Sequence, residues 1–190
     1  GDDDTNADGV TETASGIRGA NSETVLFLDG TGPGNLTRRT VIDGVIVTGG
    51  EASGDARSFA SGGGIYCDGS NPGNACNPVL RSVLFVGNRA VRGGGALHNN
   101  GETGTSSPRI EDAVFAGNES PAGGAVQNNA INEGTSRPQL VNVVFAANAT
   151  IRKGQGGAVH NNAAARGTAR PTIVNATFTN NTDRKSTRLN

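Results

Sequence analysis

The chain has no tryptophan, no methionine and a single tyrosine, and aromatic residues make up only 4% of it. Hydrophobic residues reach just 34%, so a thick layered core of large side chains is excluded. Charge of one sign is also lacking. With 16 basic and 17 acidic residues and a net charge of −1, no electrostatic footprint for nucleic acid or an anionic membrane surface is present. No apolar run approaches the length of a membrane-spanning helix. The sequence has neither a starting Met nor a signal peptide, although its composition is that of a secreted protein; in a fragment the absent signal carries no information.

Glycine, in contrast, is abundant at 30 of 190 residues, with Asn, Ser and Thr crowding the remainder. Such a composition is compatible with disorder, but here the apolar residues recur in register, which a disordered chain has no reason to maintain. One unit is seen four times: Pro78 to Asn88, Pro108 to Asn118, Pro138 to Asn148 and Pro171 to Asn181. Its phenylalanines, Phe85, Phe115, Phe145 and Phe178, recur at intervals of 30, 30 and 33 residues. A steady period in this range marks stacked supersecondary units.

Within a unit, Val83 and Phe85 (then Ala113 and Phe115, Val143 and Phe145, Ala176 and Phe178) are two residues apart, the period of a strand. Leu80, Ile110, Leu140 and Ile173 lie three residues before the Val/Ala position, which breaks alternation and predicts a corner near Arg81-Ser82 and its equivalents. A helical reading needs apolar residues at 3.6 spacing over many positions, and the glycine-rich stretches forbid it. Three residues past each Phe comes Asn88, Asn118, Asn148 or Asn181; an earlier unit has Val47 in the Phe place and Gly50 in the Asn place. Because Asn and Gly both tolerate left-handed backbone, this column reads as a turn rather than a binding site. A second motif follows: Gly94-Gly95-Ala96-Leu97, Gly123-Gly124-Ala125-Val126 and Gly156-Gly157-Ala158-Val159, with Gly62-Gly63-Gly64-Ile65 one unit earlier. It leads into Asn99-Asn100, Asn128-Asn129 and Asn161-Asn162.

Stacked at the strand spacing of roughly 4.8 Å, the Phe column and the columns headed by Asn88 and Asn99 are expected to form like-on-like ladders, the Asn99, Asn128 and Asn161 amides hydrogen-bonding up the stack. The expected fold is all-β: a right-handed parallel β-helix of about five coils over residues 21–182, without terminal caps. Exposed sheet edges at its ends predict aggregation of the isolated chain. Residues 1–20 are expected to be a polar leading segment or inter-coil loop. Residues 183–190, abruptly basic, resemble the translated read-through of a sequencing adapter.

Phe-x-x-Asn alternating with Gly-Gly-Ala-(Leu/Val) resembles the repeats of the chlamydial polymorphic outer-membrane proteins and, more widely, bacterial right-handed β-helix proteins. The segment Thr40 to Gly50 also looks like the first strong coil of secreted β-helix surface proteins. Together these likenesses cover residues 40–182. They imply export, a β-helix, an extracellular or outer-membrane location in a bacterium, and an adhesin-like or cell-envelope role that engages glycans or surface proteins.

Candidate chemistry is sparse. Asp4, Asn6 and Asp8, followed by Gly9, match the opening of a Ca²⁺ loop, although Ser15 stands where the closing Glu belongs; a plain polar loop is the alternative. No other cofactor is expected. Cys67 and Cys76 bracket one polar loop on an exported-looking chain and are expected to form a disulfide, with free thiols as the alternative. His98 and His160 share a column two coils apart, too distant for one metal ion, and read as surface polar residues. Five Asn-x-Ser/Thr sequons, at Asn35, Asn118, Asn148, Asn175 and Asn180, read as by-products of Asn turns. The rival function is a polysaccharide lyase or glycoside hydrolase. That chemistry needs converging carboxylates. The columns headed by Asp43 and Gly44 carry no acids on adjacent coils, so catalytic residues would have to lie outside this chain. Arg81 and Glu111, on adjacent coils, are expected to make a surface ion pair.

Overall fold

The computed structural model describes residues 6–55 and 60–183, apart from the Lys153 side chain. Apart from one 3-10 turn at Ala14–Gly16, all regular structure in these residues is strand, and every strand pairing is parallel. The chain winds as a β-solenoid with four sheets running along its axis. Strands Leu26–Asp29, Ile65–Asp68, Leu97–Asn100, Val126–Asn129 and Val159–Asn162 form the first. Ala75–Cys76, Thr105–Ser106, Thr135–Ser136 and Thr168–Ala169 form the second. The third, of eight strands, holds the Phe motif, from Val41–Asp43 to Thr172–Thr179. The fourth comprises Glu51–Ala52, Arg89–Ala90, Glu119–Ala122 and Ala149–Gln155. Five rungs of strands bound about four full turns, which the repeat count of about five coils slightly overstates.

The expected corner falls where alternation breaks. Gly44, Ser82, Asp112, Asn142 and Asn175 all have positive φ, between 50° and 68°. Short polar side chains and glycine adopt this backbone at low cost, and β-branched residues do not. The corner lets Leu80 and Val83 both point inward although three residues separate them, and both are fully buried.

The core is a set of one-residue-wide columns. Phe85, Phe115 and Phe145 are completely buried, with ring centroids 4.6 and 4.8 Å apart and ring planes within 12° of parallel. Phe178 continues the stack at 4.8 Å but is half exposed on the last rung. Each fully buried Phe contributes about 2–3 kcal/mol of burial. Leu80, Ile110 and Leu140 make a second column, and Ile65, Leu97 and Val126 a third.

The Asn of Phe-x-x-Asn is not the turn residue that its tolerance of left-handed backbone suggested. Positive φ falls one residue earlier, at Gly49, Gly87, Gly117, Ala147 and Asn180. The Asn itself points inward. Asn88, Asn118 and Asn148 are wholly buried, and each donates from Nδ2 to the Oδ1 of the next, at 3.0, 2.9 and 2.9 Å, ending on Asn181. The other N–H of each amide is also used: Asn118 and Asn148 donate to the Phe85 and Phe115 carbonyls of the preceding coil. A buried amide is tolerable only when its donors and acceptors are satisfied, and here the ladder supplies partners along the axis.

The leading segment runs up the outside of this turn column. Thr11 and Thr48 exchange hydrogen bonds of 3.0 and 3.1 Å, and Ala14 N–H donates to the Gly117 carbonyl. A Cβ on Gly87 would collide with the Thr11 carbonyl and one on Gly117 with that of Glu12. Further along the column, past the strap, the equivalent positions carry side chains, Ala147 and Asn180. Glycine in the second and third coils thus makes room for the strap.

Candidate functional site

In the first sheet, alternation sends Leu26, Ile65, Leu97, Val126 and Val159 inward and turns the next residue of each strand outward. The outward column reads Phe27, Tyr66, His98, Gln127, His160, and two residues on a second reads Asp29, Asp68, Asn100, Asn129, Asn162. The middle of these columns, Tyr66, His98 and Gln127 with Asn100, Asn129 and Asn162, floors a groove of about 370 Å³. Ser61 and Arg92 wall it on the side of the preceding turn, and Glu102 and Ile131 on the side of the following loop.

The rings stack: Phe27 and Tyr66 have centroids 5.4 Å apart, Tyr66 and His98 5.0 Å. Because ring faces cover one another, the groove meets their edges. His98, read from the sequence as surface polar, is in fact buried at 6% exposure, because Arg92 and the turn at Ala60-Ser61 rise beside it. Burial pushes its imidazole down to about 4, outweighing hydrogen bonds with the Gln127 side chain and Gly93 backbone. His160 is also lowered by burial, against the field of Asp183. Gln127 stands between the two histidines, its Nε2 3.4 Å from His160 Nδ1, so the column holds one His on each side of an amide and no metal pair.

The shift has a consequence for stability. An unfolded histidine titrates near 6.5 and the folded His98 near 4, so between these values the unfolded chain binds more protons. The contribution is complete above pH 6.5 and is lost as the pH falls toward 4. Chemical denaturation across this window is expected to show stability falling with acid, and His98→Gln, the residue its own column carries at 127, to flatten that slope.

The outer Asn column is a second ladder. Asn100 donates to Asp68 Oδ1 at 3.0 Å, Asn129 to Asn100 at 3.2 Å and Asn162 to Asn129 at 2.9 Å. Inside the same sheet Asn99, Asn128 and Asn161 form the inner ladder, with donor–acceptor distances of 2.8 Å at both steps. The inner ladder stops at Cys67, which holds the Asn position one coil earlier. Asn99 Oδ1 is left buried without a partner there, since a disulfide sulfur has no proton to donate. Cys67 and Cys76 are joined, with Cα atoms 5.7 Å apart and both side chains fully buried. The bond closes the polar loop between the first and second sheets.

Acidic residues do meet in one column that the sequence reading passed over. Asp29 and Asp68 are register partners on adjacent coils. The signal was the alternating run Leu26 to Asp29, which aligns with Ile65 to Asp68 but lacks the glycine motif that marks the other coils. Asp29 is exposed, and hydrogen bonds from the Thr31 side chain and backbone hold its carboxyl below the usual range. A general acid requires the opposite shift. Elsewhere Arg81 lies beside Glu111 in register, but its ion pair is with Asp43, at 2.9 Å, while Glu111 takes Arg109. Arg109 stands two residues before Glu111 on the same strand, close enough to claim its carboxylate, and Asp43 is the acid left facing Arg81.

Of the Ca²⁺ candidates, Asp4 and the basic tail from Arg184 onward lie outside the described residues. Asn6 donates to Asp8 and Glu12, and Asp8 accepts from Val10 N–H, so this loop is tied by its own hydrogen bonds. Among the described residues no three His, Cys, Asp or Glu side chains are grouped to hold a metal ion.

The fold and these columns define a class: a parallel β-solenoid repeat protein held by stacked Phe, aliphatic and Asn ladders. Residues 82–100 match the model of the Chlamydia polymorphic membrane protein repeat. The matched stretch runs from the corner at Ser82 through Phe85, Asn88 and the glycine motif to Asn100, one complete passage through both motifs. The chain is therefore a β-helix repeat protein like the polymorphic membrane proteins. No curated protein and no solved structure matches it.

Proposed function

We propose that this chain is a non-enzymatic, surface-displayed region of a bacterial cell-envelope protein, with an adhesin-like role in recognition. The observation that supports it most is the repeat match within a solenoid whose interior is given over to identical stacked columns, while chemical variety is confined to outward positions. Such a solenoid is a stiff spacer that carries variable side chains away from the cell surface. Among the described residues no helix is long and apolar enough to cross a membrane, which says nothing of a β-barrel. The test is surface labelling in the bacterium that encodes the chain. Antibodies to it are expected to stain intact cells, and external protease to abolish the staining; staining only after permeabilisation would overturn the reading.

A further inference from the structure

The buried amide ladder headed by Asn88 and the outer rail headed by Asn100 differ in what they leave unspent. An Asn side chain has two N–H donors and two acceptor lone pairs. In the buried column headed by Asn88, the amide uses both donors: one goes to its neighbour, the other to a backbone carbonyl. Its Oδ1 is likewise shared between the neighbour's side chain and backbone N–H, as Asn118 Oδ1 is by Asn88. In the outer rail, each step along Asn100, Asn129 and Asn162 spends one N–H and one lone pair, and only Asn100 Oδ1 takes a second donor, the Glu102 backbone N–H. The remaining donor and acceptor capacity borders the groove, which these residues line.

Beside the rail lie the Tyr66 hydroxyl, the His98 ring and the Gln127 amide. His98 Nδ1 is buried without a hydrogen-bond partner although its residue is only 6% exposed. The charge in the walls is balanced, one Arg92 against one Glu102, which disfavours a polyanion. Nor does the groove offer the broad apolar surface that anchors a peptide or acyl chain, since the aromatic faces are turned against each other. What it offers is a row of groups that both donate and accept, repeated once per coil. A sugar hydroxyl also does both, and the coil spacing of roughly 4.8 Å is close to the length of one sugar ring. The volume lies in the range of small-ligand sites.

From this arrangement we infer that the outer groove of the first sheet is a binding site for a neutral glycan, laid along the solenoid axis. Gln127 and the Asn129 rail hydrogen-bond its hydroxyls, and Arg92 and Glu102 border it. The inference deepens the recognition role proposed above and rests on it only for its biological setting, since binding by the purified chain is measured independently of where the protein resides.

The experiment uses the whole chain on an array of neutral oligosaccharides (β-glucans, mannans, galactans and chitin oligomers) with polygalacturonate and heparin as charged probes. Hits are followed by calorimetry with Gln127→Ala and Asn129→Ala. Gln139→Ala, an exposed amide on the third sheet, is the control, and circular dichroism establishes that each variant is folded. At least one neutral glycan is expected to bind, about tenfold more weakly to each groove variant and unchanged to the control. Absence of binding to every neutral glycan, selective binding of the charged probes, or equal affinity in folded Gln127→Ala and Asn129→Ala would overturn it. Intact-cell labelling with a blank array would sink the groove assignment and leave surface display standing; the reverse pattern would do the opposite.

Discussion

Replacing Asn118 by alanine is expected to destabilise the solenoid by about 3 kcal/mol or more, as much as removing a core side chain. The residue is wholly buried in the middle of the inner amide ladder. Its loss leaves the Asn88 backbone N–H without the Oδ1 it donates to, and the Phe85 carbonyl without its 3.1 Å donor. Each buried group stranded in this way costs about 1–3 kcal/mol. Asn148 keeps a donor to its neighbour Asn181, so the damage is local to the second and third coils. The outward ladder at the corner supplies the contrast. Asn142 donates to Asp112 and accepts from Asn175 at similar distances, yet it is exposed and water replaces what is lost. Because Asn142 also has φ 54°, the comparison is made with glycine at both places. Urea denaturation of Asn118→Gly and Asn142→Gly is expected to show a large drop in midpoint for the first and little change for the second. Equal effects would contradict the ladder's role.

The second large effect belongs to Phe115. Its ring is sandwiched between Phe85 and Phe145 and is fully buried. Phe115→Ala removes the burial and opens a gap between two rings that parallel strands hold at a fixed separation, so neighbours have little freedom to collapse into it. The expected cost is about 3–5 kcal/mol. Phe178→Ala, on the half-exposed last rung, is expected to cost far less. Thermal melts of the two variants test this, and similar melting temperatures would show that the stack is not the core.

Much of the architecture was legible because like residues occupy like positions. The Phe column, the corner beside Ser82 and the glycine motif were all spaced regularly enough to be read without coordinates. What was misread shares a cause. Asn and Gly exchange at Asn88 and Gly50, which reads as shared tolerance of left-handed backbone, yet neither position has positive φ: Gly50 keeps its place in the ladder by donating its backbone N–H to Asn88 Oδ1. Sequence spacing cannot separate these, and the positive φ sits one residue earlier, at Gly87 and Gly117. The candidate groove was hidden for another reason. Its floor is periodic, but its walls, Ser61, Arg92 and Glu102, come from turns and loops that differ between coils, and only they turn His98 from a surface residue into a buried one. Likewise the Asp29–Asp68 pairing depends on a first coil that lacks the glycine motif. The axial strap formed by Thr11 to Ala14 obeys no repeat at all, and its only trace in the sequence is Gly at 87 and 117 where Ala and Asn follow.

Residues one repeat apart lie side by side on parallel strands. Val114 and Val144 are such partners, and their outward side chains avoid the core. Adjacent strands place Cα atoms roughly 4.8 Å apart, within disulfide range. Val114→Cys with Val144→Cys is therefore predicted to form a cross-link under mild oxidation, seen as a peptide pair by mass spectrometry. Val114→Cys with Thr177→Cys, two coils apart, is predicted to form none. Cross-linking of the distant pair, or its absence in the adjacent one, would contradict this register of stacked coils.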